Sequence, residues 1–383
     1  MNTKDFTKKY YVKRENTLSV KWEAVKDTDN LPMWIADMDF KTDERLTNAL
    51  KKHIEHGAYG YSILPKDYYE TYIKWHFKRH NIKYKKDWIR FSKGAVNGLI
   101  QCILSFTNEK DAILITSPVY HPFFNAINDT KRKLVESKLI IKDNYCYLDF
   151  KDIENKFKNK KVKMMILCNP HNPGGRVWKK GEIEELLSLC KKYHVLVISD
   201  EVHCDLIMPD QIYTPSLSIK KYQDNVITLN TMSKSLNLAA FMHSHVIIAN
   251  EKLRNKFDKF QKDNFLNMPI AYNALPAYYG MKYCESWVDD ICELIYDNYQ
   301  YLKSRLDKYV DILALEGTYL VFINFEKYTD NAHKFLLDKC HILTNPGESF
   351  SKGYASWARF NIGTSKTNIK KACDAIIKEI NKK

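Results

Sequence analysis

Three side chains that can do covalent or acid–base chemistry each follow an apolar run of strand length. Lys234 stands between two serines, Asp200 begins an acidic turn, and Asn172 lies in a turn rich in proline and glycine. The runs before them are 164–168, 195–199 and 226–229. Such runs are typical of parallel strands covered on both faces, and ligands bind outside the carboxyl ends of these strands. The sequence therefore predicts one site that combines an amine, a carboxylate and an amide.

This combination is what the cofactor pyridoxal 5′-phosphate (PLP) requires of a protein. Lys234 is the candidate amine for a Schiff base, because burial and a neighbouring cation lower the pKa of a lysine. Asp200 is the candidate partner of the pyridine nitrogen, since a buried carboxylate needs one. Asn172 is placed to contact the ring hydroxyl. Taken singly, these residues are equally typical of a surface lysine, a helix N-cap and a turn. Their common position favours PLP.

The remaining requirements of PLP are a phosphate cradle, a cover for the ring and a clamp for the substrate carboxylate. A glycine before a helix offers free N–H groups to a phosphate. The hydroxyl groups that follow the apolar run 226–229 add further donors. Aromatic and arginine side chains serve the other two needs, although ordinary packing and a surface ion pair are alternatives. The candidates are Gly94 and Ala95 for the N–H groups, Thr231 and Ser233 for the hydroxyls, Tyr120 for the ring and Arg359 for the carboxylate.

Composition excludes several classes of protein and names no function. The 383 residues are long enough for two packed units, and no apolar run approaches the ~20 residues that span a bilayer. The nine cysteines have no C-x-x-C spacing, so we expect no disulfide framework, no metal site and a cytoplasmic location. The net charge is +14, but only nine of the 60 basic residues are arginine. We therefore expect a solvated basic surface and no nucleic-acid or membrane partner.

The elements around these residues predict an α/β fold. Strand and helix patterns alternate from about residue 90 to 250, which favours a doubly wound, mostly parallel sheet. A long amphipathic helix from residue 289 to 309 is followed by short strands and helices, typical of a smaller α+β domain. We predict a large domain at 46–288 and a small domain made of 1–45 and 289–383, with the site between them.

Taken together, the motifs resemble the fold-type-I PLP enzymes of aminotransferase class I/II, and most closely the cystathionine β-lyase or bacterial C–S lyase branch. They occur in family order from residue 32 to residue 361. The motifs are Pro32–Phe40, Tyr59–Ser62, Ser117–Phe123, Leu167–Trp178, Ser199–Asp205, Ser233–Lys234 with Asn237–Ala239, Glu316–Leu320 and Arg359–Asn361. The resemblance implies the α/β PLP-dependent transferase fold over nearly the whole chain.

The resemblance also implies a role for each matching residue. It assigns the Schiff base to Lys234, the pyridine nitrogen to Asp200, the ring oxygen to Asn172 with His203 nearby, and ring stacking to Tyr120. It assigns the phosphate to Gly94, Ala95, Thr231 and Ser233, and the substrate α-carboxylate to Arg359. Tyr61 is implied to reach the phosphate site of a neighbouring subunit, which makes the protein a homodimer with shared active sites.

Two segments depart from the family pattern at the phosphate end. Met242 stands where aminotransferases place a phosphate-binding arginine, and Ala240, followed by Phe241, stands where glycine is usual. Lys93 replaces the usual proline before Gly94. We hypothesise that Lys93 compensates for the missing positive charge.

The resemblance favours β-elimination on L-cystathionine or a related cysteine S-conjugate, which yields a thiol, pyruvate and ammonia. The site residues by themselves equally support an aminotransferase. A third alternative is a non-catalytic regulatory protein of the same fold, which the altered segment 240–245 and the basic charge favour.

Overall fold

The computed structural model describes residues 1–267 and 271–382. The α-helices within these residues are α1 (Thr3–Tyr10), α2 (Val20–Glu23), α3 (Glu44–Glu55), α4 (Tyr68–His80), α5 (Ala95–Phe106), α6 (Pro122–Asp129), α7 (Phe150–Phe157), α8 (Lys180–Lys192), α9 (Glu251–Asp263), α10 (Ala271–Tyr283), α11 (Glu285–Leu306), α12 (Ala332–Cys340) and α13 (Lys366–Ile380). Short 3₁₀ turns lie at Lys86–Trp88, Ser216–Ser218, Lys220–Asn225, Ala239–Phe241 and Gly347–Ser349.

The strands form one large sheet, one smaller sheet and two short pairs. They are β1 (Leu31–Pro32), β2 (Ile89–Ser92), β3 (Ala112–Ser117), β4 (Lys133–Lys138), β5 (Ile140–Lys142), β6 (Tyr145–Tyr147), β7 (Val162–Cys168), β8 (Leu196–Asp200), β9 (Val226–Asn230), β10 (Ser244–Ile248), β11 (Asp311–Ile312), β12 (Leu320–Asn324), β13 (Ile342–Leu343), β14 (Asn345–Pro346) and β15 (Trp357–Asn361). Within the described residues, no helix is both long and apolar enough to cross a membrane.

The large sheet has the strand order β2-β10-β9-β8-β7-β3-β4. Strands β4, β3, β7, β8 and β9 pair in parallel, and β10 runs antiparallel to both of its neighbours. Successive side chains of the central strands enter different apolar clusters, because they point to opposite faces. Ile166 and Ile198 pack with α5, whereas Met165 and Val197 pack with α8. This confirms the predicted α/β fold with a mostly parallel sheet.

The smaller sheet is antiparallel, in the order β11-β12-β15-β14. Strand β1 pairs with β13, and helix α1 packs against α11, so the first residues of the chain join its last third. Helix α11 begins at Glu285, four residues before the predicted start, and it contains the position at which we predicted the domain boundary.

The functional residues meet because β7, β8 and β9 are adjacent and parallel. Cys168 of β7 lies opposite Asp200 of β8, and Asp200 lies opposite Leu229 of β9. The turns after these strands therefore emerge at one edge of the sheet, as predicted.

Candidate active site

A cavity of about 410 Å³ lies at this edge. Nine of the predicted site residues line it, and they come from turns that are far apart in the sequence. They are Gly94, Ala95, Tyr120, Asn172, Asp200, His203, Thr231, Ser233 and Lys234. The cavity thus brings together the amine, the acid, the amide and the proposed phosphate donors.

Lys234 lies partly buried at the wall of this cavity. Its Nζ donates a hydrogen bond to the carbonyl oxygen of Ala36 at 2.9 Å. Burial lowers the pKa of this lysine to about 8, and the positive charge of Arg359 adds to the effect. A substantial fraction of its amine is therefore neutral near physiological pH, and only the neutral amine is a nucleophile or a base.

Asp200 is the last residue of β8 and is buried. One of its carboxylate oxygens accepts a hydrogen bond from the N–H of Val202 at 3.3 Å. Burial raises its pKa to about 7, since nothing in the cavity fully compensates the charge. A cationic N–H placed in the cavity would favour the ionised carboxylate.

Arg359 reaches the site from β15 of the smaller sheet. Its Nη1 donates to Asn172 Oδ1 at 3.0 Å, and its Nη2 donates to the carbonyl oxygen of Trp34 at 2.9 Å and to Asn345 Oδ1 at 2.5 Å. The guanidinium lies 4.9 Å from the ring centre of Phe350. No carboxylate pairs with it among residues 1–267 and 271–382, and burial lowers its pKa to about 10. A buried arginine without a carboxylate partner is suited to an external anion.

His203 and Tyr120 complete the walls around the proposed ring position. The Nδ1 atom of His203 is buried and has no hydrogen-bond partner in the described part of the chain. Burial lowers the pKa of His203 well below its usual value, so the imidazole is neutral. Burial also raises the pKa of Tyr120, which keeps its hydroxyl protonated.

The predicted phosphate end lies at the start of α5. Gly94 is the N-cap of this helix, with φ of +91° that favours glycine. A Cβ atom at Gly94 would lie 3.6 Å from the Cε of Met242, which places the Met242 side chain beside the cradle. Thr231 Oγ1 donates either to Ser233 Oγ at 2.9 Å or to the carbonyl oxygen of His243 at 2.6 Å. Lys93 also lines the cavity.

Two predicted site residues do not line the cavity: Arg359, which donates a hydrogen bond to Asn172 at its wall, and Tyr61. The Tyr61 side chain is fully exposed, in a stretch of exposed residues from 55 to 63. The sequence resemblance places it in the site of a neighbouring subunit, and its exposure in a single chain is compatible with that role.

The sequence analysis missed the role of the N-terminal turn at residues 34–38. Its backbone carbonyls accept hydrogen bonds from several buried side chains of the site region. The donors are Lys234 Nζ and Tyr319 Oη to Ala36, Asn361 Nδ2 to Ile35 and Asp37, and Asn237 Nδ2 to Met38. Because these contacts join segments some 200 or more residues apart, local spacing carries no signal for them.

Comparison with known proteins agrees with this geometry. The family model described as aminotransferase class I and II matches residues 34–376. The chain belongs to this family. Members with solved structures contain PLP, and the fold is that of the fold-type-I PLP-dependent enzymes. The recognition from sequence motifs is therefore confirmed.

Several members of the family that resemble this chain act on carbon–sulfur bonds. Cystathionine beta-lyase PatB of Bacillus subtilis is 32% identical over 92% of this chain and 94% of its own. The structure of cystalysin from Treponema denticola, which contains PLP, has a TM-score of 0.92 and 31% identity, and covers 97% of this chain and 98% of its own. A PLP-bound C–S lyase from Staphylococcus hominis has a TM-score of 0.89 and 28% identity, and the match covers 96% of this chain and 97% of its own.

The residues present in this family member fit PLP. Asp200 is a buried carboxylate that lacks a cation, and His203 Nδ1 and Arg359 Nε are buried polar atoms without partners among the described residues. Gly94 precedes the first turn of α5 with a φ of +91° that favours glycine, and the N–H groups at this helix start are free to bind a phosphate. These groups match the pyridine nitrogen, the ring oxygen, the substrate carboxylate and the phosphate that a PLP enzyme must hold.

Proposed function

We propose that this protein is a PLP-dependent C–S β-lyase that cleaves L-cystathionine or a related cysteine S-conjugate. The observation that carries the proposal is the convergence of Lys234, Asp200 and Asn172 at one cavity, beside Arg359, which donates a hydrogen bond to Asn172 and has no carboxylate partner among the described residues. The similarity to C–S lyases over nearly the whole chain supports the choice of a lyase over other reactions of the family.

Separate groups of residues would hold the PLP ring, its phosphate and the substrate carboxylate. Asn172, Asp200 and His203 would hold the PLP ring, Tyr120 would cover it, and Gly94, Ala95, Thr231 and Ser233 would hold the phosphate. PLP, when bound, supplies a protonated aromatic ring that withdraws electrons from Cα of the amino acid. Arg359 would bind the α-carboxylate of the substrate with a forked pair of N–H groups.

Lys234 would move the proton. Its amine is neutral in part at physiological pH, so it can accept the proton from Cα of the substrate. Loss of that proton is coupled to cleavage of the Cβ–S bond, whose electrons leave with sulfur. The net reaction consumes one water molecule and gives a thiol, pyruvate and ammonia.

The lyase is tested by visible absorption of the protein with PLP and by pyruvate release from L-cystathionine without an added keto acid. We expect an absorption band that requires Lys234, together with pyruvate. The variant Lys234→Ala should lose both. A band with amino-group transfer only when a keto acid is added would favour an aminotransferase. Failure to bind PLP at all would contradict the enzyme proposal and favour a regulatory protein.

We further propose a homodimer in which Tyr61 contacts the phosphate site of the partner subunit. The exposed apolar side chains Tyr59, Tyr61 and Ile63 support it, because a cluster of this kind is typical of an interface. Mixing inactive Lys234→Ala subunits with Tyr61→Ala subunits should create one intact site per mixed dimer. Random exchange should then restore about a quarter of the wild-type activity. No recovery after verified subunit exchange would contradict shared sites.

The domain division and the location remain proposals of the same kind. We propose a cofactor-binding domain at 46–288 and a small domain made of 1–45 and 289–383, which the pairing of β1 with β13 supports.

We propose a cytoplasmic location because all nine cysteines are free and buried, and oxidising compartments favour disulfides.

A further inference from the structure

A second cluster of ligand-type side chains lies apart from the PLP cavity. His76 and His80 are four residues apart on α4, so both project from one face of the helix. Cys204 follows β8 and lies against them. One donor atom from each of the three residues lies within 4.8 Å of the other two. The cysteine spacing predicted no metal site. The signal in the sequence was the pair of histidines in the segment 75–80, which the cysteine spacing does not include.

We propose that His76, His80 and Cys204 bind one divalent transition-metal ion of the zinc type. Two imidazoles and a thiolate are typical zinc ligands, and three protein ligands leave a fourth position for water. Donors in a tetrahedral zinc site are ~3.3–3.7 Å apart, given bonds of about 2.0 Å to nitrogen and 2.3 Å to sulfur. The donor atoms therefore need to approach one another by about 1.5 Å at most to coordinate the ion.

His76 supports the proposal because its imidazole is buried and its Nε2 has no hydrogen-bond partner in the described residues. Asn230 lies beside it, but the Oδ1 of Asn230 also has no partner there. An unpaired buried donor or acceptor is costly, and a metal ion would satisfy it.

His80 and Cys204 have the outer contacts that metal ligands usually have. His80 Nε2 lies 2.8 Å from the carboxylate of Asp205, which leaves its Nδ1 for the ion. The Cys204 sulfur accepts a hydrogen bond from Asn230 Nδ2 at 3.1 Å. Together with His76, these residues resemble a ligand set with its outer shell in place.

The charges around the cluster favour a cation. The carboxylates of Asp205 and Glu201 lie close enough to the Cys204 sulfur to interact with it electrostatically. The same carboxylates would stabilise a divalent ion at the sulfur, which replaces the thiol proton and releases it to solvent. The nearby Arg79 guanidinium is already paired with Asp205 and with Asp289, the latter at 2.7 Å.

The cluster borders a surface cavity at His80. This cavity of about 650 Å³ is lined by His80 and Asp205, and its rim carries the acidic residues Glu285, Asp289 and Glu293. Asp205 also accepts a hydrogen bond from Ser235 Oγ at 2.8 Å, next to Lys234. A bound ion would therefore stabilise the fold close to the loop that carries Lys234.

The test uses the PLP-loaded protein after dialysis against a chelator. We titrate Zn²⁺ by calorimetry and Co²⁺ by visible absorption, and we record thermal unfolding. We expect one ion per chain, a cobalt spectrum with a thiolate charge-transfer band, and a higher Tm in the presence of Zn²⁺. The variants His76→Met and Cys204→Ser should each weaken binding at least tenfold.

The matched control is Cys190→Ser, which changes a buried thiol in α8 outside the cluster. It should leave the affinity unchanged. Retention of the PLP absorption band identifies the variants that fold, and His80→Ala replaces any that does not. The proposal is overturned if no thiolate band forms, or if folded cluster variants bind Zn²⁺ as the wild type does.

Discussion

At the scale of single residues, burial drives the two reactive groups of the site toward their neutral forms. The pKa of Lys234 falls to about 8 and that of Asp200 rises to about 7. The two side chains attract each other across the cavity, but this attraction is weaker than the cost of burial. Such a site keeps part of the lysine amine neutral and therefore reactive. Either side chain becomes charged when a bound ligand supplies the opposite charge.

The uptake of PLP by the cofactor-free protein should report the protonation of Lys234. Only the neutral amine reacts, so the rate should rise about tenfold per pH unit up to pH 8 and then level off. Stopped-flow absorption between pH 6 and 9.5 measures this profile, with Lys234→Ala as the control. A rate that keeps rising tenfold per pH unit up to pH 9.5 would contradict the lowered pKa of Lys234.

Lys93 should contribute to PLP affinity, because it lines the cavity while Met242 occupies the position of the usual arginine. A hydrogen bond to a charged group is worth about 1.5 kcal/mol, so Lys93→Met should weaken PLP binding about tenfold. Equilibrium dialysis measures the affinity, and the loss should shrink in high salt. Lys131→Met, which changes an exposed lysine elsewhere, is the control. An unchanged affinity would mean that Lys93 does not compensate for the arginine.

At the scale of elements, the side chain of Asn237 makes three hydrogen bonds that hold the N-terminal turn to the lysine loop, in addition to the one from Lys234. Asn237 adopts a left-handed conformation with φ of +56°. It accepts a hydrogen bond from the N–H of Met38 and donates to the carbonyl oxygens of Met38 and Phe40, at 2.8–3.0 Å. The turn supplies the carbonyl that contacts Lys234, so Asn237 positions a wall of the site.

Replacement of Asn237 by alanine should detach this turn. Three hydrogen bonds at about 1 kcal/mol each and about 1 kcal/mol for alanine in a left-handed backbone predict a loss of about 4 kcal/mol in the free energy of unfolding. Urea unfolding measures the loss, and limited proteolysis should show earlier cleavage before residue 40. Asn16→Ala is the matched control, since Asn16 is also left-handed but its side chain is exposed. Equal losses in both variants would assign the effect to the backbone alone.

At the scale of the whole molecule, the chain buries several histidines in neutral form. Burial lowers the pKa of His76 and His171 to about 3 and that of His243 to about 4. Below pH 6.5 these histidines bind protons in the unfolded chain, whereas in the folded chain they remain neutral. Stability is therefore lost as the pH falls from 6.5, by about 1.4 kcal/mol per pH unit for each such histidine. The raised pKa of Asp200 has the opposite sign and offsets one proton between pH 7 and 4.

The cofactor-free protein, kept in chelator, should thus unfold at lower urea concentration at pH 5 than at pH 7. The variant His76→Met lacks one histidine that binds a proton on unfolding. Between pH 5.5 and 4.5 its free energy of unfolding should therefore fall less steeply than that of the wild type, and the two slopes should differ by about 1.4 kcal/mol per pH unit. Urea titrations across this range measure the slope, with His56→Asn, a change to an exposed histidine, as the control. A slope that is the same for His76→Met as for the wild type would contradict a buried neutral histidine.

The sequence by itself determined the sheet and most of the cavity. Three apolar runs, each followed by a polar turn, fix adjacent parallel strands, and parallel strands deliver their carboxyl ends to one edge. Lys234, Asp200 and Asn172 therefore meet for reasons that are local to each strand. Helix α11, at Glu285–Leu306, overlaps the helix predicted at 289–309 for the same reason, because hydrophobic periodicity is a local property.

Only the tertiary structure decided which distant segments complete the site. Arg359 meets Asn172, Ala36 meets Lys234, and Tyr61 points away from the cavity of its own chain. The cluster of His76, His80 and Cys204 arises in the same way, from the packing of α4 against the turn after β8. Contacts across 100 or more residues depend on how whole elements pack, and residue periodicity within an element does not encode that packing.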